Sequence, residues 1–399
     1  MHKVLDPARL ERVGELCRRY VDDGKYPCSV VQVKHRGEVA YLDVHGWADV
    51  VEQRPIQLDS VFRIFSMSKP ITSVALMQLH EQGLVYLDDP VSAFIPEFAD
   101  LEVYTGGGPD DFTTEPLERP MIVKDLLTHT SGLTYGFMFM NTVDKLYRDA
   151  GLGGFDRPTL TLAEAVPKLA TLPLLFQPGS RWGYSVATDV VGRLVEVISG
   201  MSFGAYLEAN LFEPLGMVDT GFSIDRANYD RTTSLYTPTS KGLTRIDKRE
   251  KSTMFTPPTY EGGGGGLAST LADYQAFCDM LVNGGEHDGV RILGASTVEF
   301  MMRNHLPGER RLNEMQPAGF SETAFDGMGF GLGFSVLESP AENAVMGSVG
   351  QAAWGGAAST AFWIDPVEDL TCIFLTQLMP SSTYPIRRQL RTAVYQAMT

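Results

Sequence analysis

The sequence predicts an α+β fold in which one antiparallel sheet is assembled from both ends of the chain and covered by helices. Two observations carry this: β-rich runs cluster toward both termini, and helical periodicity fills the middle. Strands at both ends that belong to one sheet need helices to bury its faces, and the middle of the chain supplies them. No internal repeat and no low-complexity tail competes with this reading.

The elements follow in order. Residues 8–22 place Leu10, Val13, Leu16, Cys17 and Tyr20 on one helical face. Ser29 to Lys34 and Glu38 to His45 are β-rich and flank Arg36-Gly37, a hairpin signature. Val61 to Phe65 is a third short apolar run. It leads into Ser66-Met67-Ser68-Lys69-Pro70 and a helix with apolar Ile71, Val74, Ala75, Leu76 and Leu79, which Gly83 is placed to end. Residues 104–120 and 225–260 read as long surface loops, being rich in turn formers and polar residues. Val123 to Leu127, Thr188 to Ile198 and Thr270 to Val282 read as helices, the last preceded by five glycines, Gly262 to Gly266. Gly331 to Glu338, Ala344 to Val349, Ala357 to Ile364 and Leu370 to Leu378 read as a strand meander, and Ile386 to Met398 as a closing helix.

Composition narrows the function. The chain has 399 residues, 44% hydrophobic and 21% charged, ordinary for a globular protein with a large core. A net charge of −16 argues against nucleic acid as a partner, because phosphate binding needs a basic patch. No apolar run approaches eighteen residues, so no membrane span is expected, and no secretory leader is recognisable. Four scattered cysteines, Cys17, Cys28, Cys278 and Cys372, suggest reduced structural thiols and a cytoplasmic location by default. None of the seven histidines forms a metal pair, so neither metal nor cofactor is expected.

Two serine motifs compete for a nucleophile. Gly200-Met201-Ser202-Phe203-Gly204 matches G-x-S-x-G, which works only on a sharp strand-to-helix turn. Here a helix precedes it, so Gly200 reads as a helix end and Ser202 as the N-cap of the next helix. Ser66-x-x-Lys69 puts hydroxyl and amine on one helical face. The Ser66 amide lies near the positive end of a helix dipole and can help hold an oxyanion. Lys69 can act as a base if burial lowers its pKa from about 10.4 to about 7 or 8. Val61, Ile64, Phe65 and Met67 supply apolar surroundings. A phenol at Tyr184, in Tyr184-Ser185-Val186, could relay a proton between Ser66, Lys69 and a leaving alcohol. In Trp354-Gly355-Gly356-Ala357 the small residues let backbone approach a ligand and leave amides free as oxyanion donors.

Taken together, Ser66-x-x-Lys69, Tyr184-Ser185-Val186 and Trp354-Gly355-Gly356 resemble the serine β-lactamase and penicillin-recognising superfamily, most closely its family VIII carboxylesterases. Leu126 to Leu133, Phe212 to Met217 and the glycine run fit the same pattern, so the likeness spans nearly the whole chain. The resemblance implies an α/β domain (1–80 and 186–399), a smaller mostly helical domain (81–185), and a site in the cleft between them. It also implies a nucleophilic Ser66, its base Lys69, a second acid/base group Tyr184, and oxyanion donors at the amides of Ser66 and Ala357. Trp354, Gly355, Gly356 and Val186 are then expected at the substrate. Two departures bear on specificity: Val186 stands where penicillin-binding members usually carry Asn, and Trp354 where they carry a cation. Loss of that carboxylate anchor points to small, short-acyl neutral esters rather than anionic lactams. Acyl transfer on the same scaffold, β-lactamase or D,D-peptidase activity, and a non-catalytic binding role are the alternatives. The resemblance makes His129 part of a structural turn rather than a catalytic base.

Overall fold

The computed structural model describes residues 3–155, 158–316 and 319–399. Its centre is an eight-stranded sheet drawn from both ends of the chain. In chain order the strands are β1 (Cys28–His35), β2 (Glu38–Asp49), β3 (Arg54–Pro55), β4 (Met328–Phe330), β5 (Ser335–Leu337), β6 (Ala352–Gly355), β7 (Ala361–Asp365) and β8 (Leu370–Leu375). Their spatial order is β4-β5-β6-β7-β8-β1-β2-β3, antiparallel throughout. The two ends of the chain join where β1 pairs with β8, Val30 opposite Leu375 and Val33 opposite Cys372.

Both sheet faces are covered, which explains why β8 is buried at every position rather than alternating. Helix α1 (Pro7–Asp22), capped by the Asp6 carboxylate, packs Leu10, Val13 and Cys17 with Val31, Val33 and Phe374 on one face. The last helix, Ile386–Tyr395, lies beside it. The opposite face carries Val30, Phe362, Ile373 and Leu375, which join the main core with α2 (Ser68–Glu81), α3 (Ala187–Ser199) and α4 (Leu271–Val282). That core continues into the segment between α2 and α3, where helices Val123–Leu127, Thr142–Asp149 and Leu162–Leu169 accompany a small hairpin. The C-terminal helix, Ile386–Tyr395, is labelled α5.

The α+β expectation is met, with local differences that have local causes. Residues 331–338 do not form one strand: Gly333, at φ +99°, turns the chain so that Phe330 pairs with Ser335. Residues 344–349 form no strand, because Ser339 and Pro340 start a helical turn that ends in left-handed Ala344. β7 begins at Ala361, since residues 356–360 form a tight turn closed by Ser359 N–H to the Gly356 carbonyl at 3.0 Å. Both expected long loops contain hairpins: Glu102–Gly106 with Thr113–Pro116, and Leu235–Thr239 with Gly242–Asp247. The Gly200-to-Gly204 serine behaves as the flanking context requires. Gly200 ends α3 at φ +74°, and the Ser202 side chain accepts the Ala205 N–H.

Candidate active site

Ser66 owes its position to a constrained entry into α2. Phe62 and Arg63 pair with Ser269 and Ala268, which brings Ile64 N–H to the Leu267 carbonyl at 3.2 Å. Phe65 then adopts φ +44°, rare for a residue with a side chain, and a single 3-10 turn from Phe65 to Met67 precedes the helix. The Ser68 hydroxyl ties this turn down, donating to the Phe65 carbonyl at 2.7 Å and accepting the Leu267 N–H at 3.2 Å.

One turn on, Lys69 is fully buried. Its ammonium donates to three acceptors: the Gly264 carbonyl at 2.6 Å, the Tyr135 hydroxyl at 3.0 Å and Ser66 Oγ at 3.3 Å. The glycine run makes the first of these contacts possible. A Cβ on Gly264 would meet the Tyr135 hydroxyl at 3.0 Å and Asp189 at 3.2 Å, and one on Gly263 would meet the Thr188 carbonyl at 2.8 Å. Asp189 in α3 accepts the Gly264 N–H at 2.8 Å and fixes the loop. Burial lowers the Lys69 pKa to about 7, against the opposing pull of the Asp189 and Glu322 charges. At neutral pH a large share of Lys69 is therefore an uncharged amine.

Tyr184 reaches Ser66 from the segment before α3, its hydroxyl donating to Oγ at 2.6 Å. Burial, followed by the nearby Glu322 charge, pushes the phenol well above its usual pKa, so it stays protonated. Tyr184 is thus a neutral hydrogen-bond donor to Ser66 rather than a phenolate. His129 stacks edge-on to Tyr184 with ring centroids 5.0 Å apart, and its Nδ1 lies 3.2 Å from Ser185 Oγ. Burial drives its pKa well below the ordinary value, which makes it a neutral packing residue.

A cavity of about 670 Å³ opens over Ser66, walled by Phe65, Tyr135, Phe137, Phe222, Tyr260 and Phe320 among others. A second chamber of about 350 Å³, with Met138, Met140 and Pro380, shares Phe137, Phe155, Phe320, Ala357 and Met379 with the first. Ala357 faces both chambers, and its N–H meets no protein acceptor among the described residues. At one end Arg63 is engaged by Asp247, by the Thr233 carbonyl at 2.9 Å and by Ser252 Oγ at 2.7 Å.

The structure therefore brings Ser66, Tyr184 and Ala357 to one cavity, with Lys69 buried beside Ser66. Trp354, Gly355, Gly356 and Val186 line neither chamber. Trp354 is buried behind the wall against Tyr184 and Phe330, with centroids 5.6 Å and 5.3 Å away. Gly355 leaves room for Arg387, whose guanidinium a Cβ would meet at 2.3 Å, and Gly356 packs on the Ile64 carbonyl. Val186 is a core residue at the start of α3. Tyr135, Asp189, Glu322 and the Gly264 carbonyl were not singled out by the sequence. The only signal is position, with Tyr135 just beyond Leu133 and Gly264 within the glycine run.

The chain belongs to the β-lactamase family, whose model matches residues 13–396. Protein Rv1367c of Mycobacterium tuberculosis is 35% identical over 367 residues, covering 91% of this chain and 88% of its own. Esterase EstB of Burkholderia gladioli is 31% identical over 407 residues, covering 97% and 95%. Among solved structures, EstCE1, titled a hydrolase with promiscuous acyltransferase activity, superposes with a TM-score of 0.82. It is 26% identical and covers 98% of this chain and 99% of its own.

Proposed function

We propose that this protein hydrolyses neutral carboxylic esters through an acyl-enzyme on Ser66. The observation that carries this reading is Ser66 Oγ held between a neutralisable amine and a protonated phenol, at 3.3 Å and 2.6 Å, beneath an apolar cavity. Uncharged Lys69 takes the Ser66 proton as Oγ attacks the ester carbonyl carbon. The carbonyl π electrons move to oxygen, and the amides of Ser66 and Ala357 face that charge. Collapse expels the alcohol, which receives a proton through Tyr184. Water then repeats the sequence on the acyl group, releasing the acid and restoring Ser66.

Neutral substrates are favoured because Arg63 is the one cation among the described lining residues of the main cavity, and Asp247 already engages it. EstB carries the name of an esterase, in line with this reading. The second chamber also supports acyl transfer, since it offers an acceptor alcohol a place beside the acyl group. The test is covalent: a fluorophosphonate should label Ser66, and a panel of p-nitrophenyl esters should turn over where a chromogenic cephalosporin does not. An adduct on any other residue overturns the mechanism, and adding excess alcohol measures the share of transfer.

A further inference from the structure

Arg387, in the first turn of α5, lies behind the wall of the cavity rather than in it. Its Nη2 donates to the Gly356 carbonyl at 2.9 Å and to the Thr360 carbonyl at 2.8 Å. These two carbonyls bracket the tight turn between β6 and β7. The Gly356 carbonyl and the Ala357 N–H belong to the same peptide unit, so a cation gripping the oxygen acts directly on an amide at the wall of the cavity that also holds Ser66.

Two consequences follow from elementary amide chemistry. A charge-assisted bond to the oxygen fixes the plane of the peptide, and so the direction of its N–H. It also draws electron density toward oxygen through amide resonance, which makes the N–H a stronger donor. The Ser359 N–H, at 3.0 Å, occupies the same carbonyl and adds to the polarisation.

The surroundings are built to hold this arrangement. Gly355 is open because a Cβ there would strike the guanidinium at 2.3 Å. Arg387 Nη1 donates to the Glu322 main-chain carbonyl at 2.8 Å and lies 2.7 Å from its carboxylate, which is almost fully buried. Ser381 in turn donates to Glu322 at 3.2 Å. A counter-ion of this kind keeps the cation in place without competing for Gly356.

We infer that Arg387 is a positioning residue for the oxyanion hole, polarising and aiming the Ala357 amide through the Gly356 carbonyl. This rests on the acyl-Ser66 reading.

The experiment compares p-nitrophenyl acetate with its thionoester. Sulfur accepts hydrogen bonds poorly, so the preference for the oxoester reports how much the oxyanion hole contributes. Arg387→Ala is expected to lower oxoester kcat/KM by about tenfold to a hundredfold, less than loss of a whole oxyanion donor. The thionoester rate should fall far less, so the oxo-to-thiono ratio drops. Methylguanidinium should restore the ratio in part, because a space of about 410 Å³ lies beside the guanidinium. Gly355→Ala, which displaces the same guanidinium by contact, should reproduce the drop should Arg387→Ala fail to fold. Equal loss on both substrates in a folded variant, or an unchanged ratio, overturns the role of Arg387. Ser66→Ala separates the two claims: continued turnover there defeats the acyl-enzyme reading itself, whatever Arg387 does.

Discussion

The Tyr184 hydroxyl stands closer to Ser66 Oγ than the Lys69 amine does, 2.6 Å against 3.3 Å, and the two groups are shifted in opposite directions. The amine is pulled down to about 7 and the phenol is pushed far up, both chiefly by burial. One group is ready to accept a proton at neutral pH and the other is ready to pass one on.

The first prediction concerns pH. Activity that needs neutral Lys69 should rise with pH through an apparent pKa of about 7 and then level off. A kcat/KM profile on p-nitrophenyl acetate, corrected for spontaneous hydrolysis, checks this. An acid limb near pH 4 to 5 would point to a carboxylate base instead.

The same shift has a thermodynamic consequence. Lys69 has a folded pKa of about 7 against an ordinary value of 10.5, so between those pH values the unfolded chain binds the extra proton. Stability therefore gains from Lys69 as pH rises through that window, and the cost of burying it is greatest below pH 7. Lys69→Met removes the titration. Its stability relative to wild type should be most favourable at pH 6 and should decline by roughly 4 kcal/mol toward pH 10. Urea unfolding at several pH values measures this, and a pH-independent difference would refute the depressed pKa.

The two phenols should separate cleanly. Tyr184→Phe should cut kcat by at least about a hundredfold, and combining it with Lys69→Ala should add little, as for residues acting as one unit. Tyr135 accepts from the ammonium and favours its charged form. Tyr135→Phe should thus shift the acid limb to lower pH while largely keeping the plateau rate. Rate profiles of both variants distinguish relay from support.

Ser202→Ala should leave turnover intact and lower stability by about 1 kcal/mol, the usual effect of losing an N-cap. Ser66→Ala should abolish turnover without that loss. Parallel thermal melts and assays decide between the two serines.

Trp354→Lys should not create a carboxylate anchor, because the side chain is buried against Tyr184 and Phe330 and does not reach the cavity. A lower melting temperature is expected, with no rise in the ratio of cephalosporin to ester turnover. An increased ratio would show that position 354 does reach substrate.

Much of the fold was legible in the sequence because it rests on local signals. The Arg36-Gly37 hairpin, the stop at Gly83 and the cap at Ser202 all formed where the residues require them. The 331–349 region was misread because apolar content resembles a strand while Gly333, Ser339 and Pro340 decide the backbone. Ser66 and Lys69 were visible as a pair three residues apart, and Tyr184 emerged through its motif. Tyr135 lies 66 positions from Lys69 and Gly264 lies 195 positions away, and no spacing rule connects them. The Trp354 triplet lines neither chamber for a related reason: its glycines make room for a guanidinium and a carbonyl from distant parts of the chain.

The cavity around Ser66 has walls of two materials. On the Gly262–Gly266 side it is main chain, crowded against an added carbon at Gly263, Gly264 and Gly266 by Thr72, Tyr135, Asp189 and Phe222. Elsewhere, and into the adjoining chamber, it is made of side chains, Phe137, Met138, Met140 and Phe155, half-buried or exposed at the surface. Selection for new substrates, natural or in the laboratory, can reshape only the second wall. Saturation libraries should yield altered ester preference at positions 137, 138, 140 and 155, and mostly inactive protein at 263, 264 and 266.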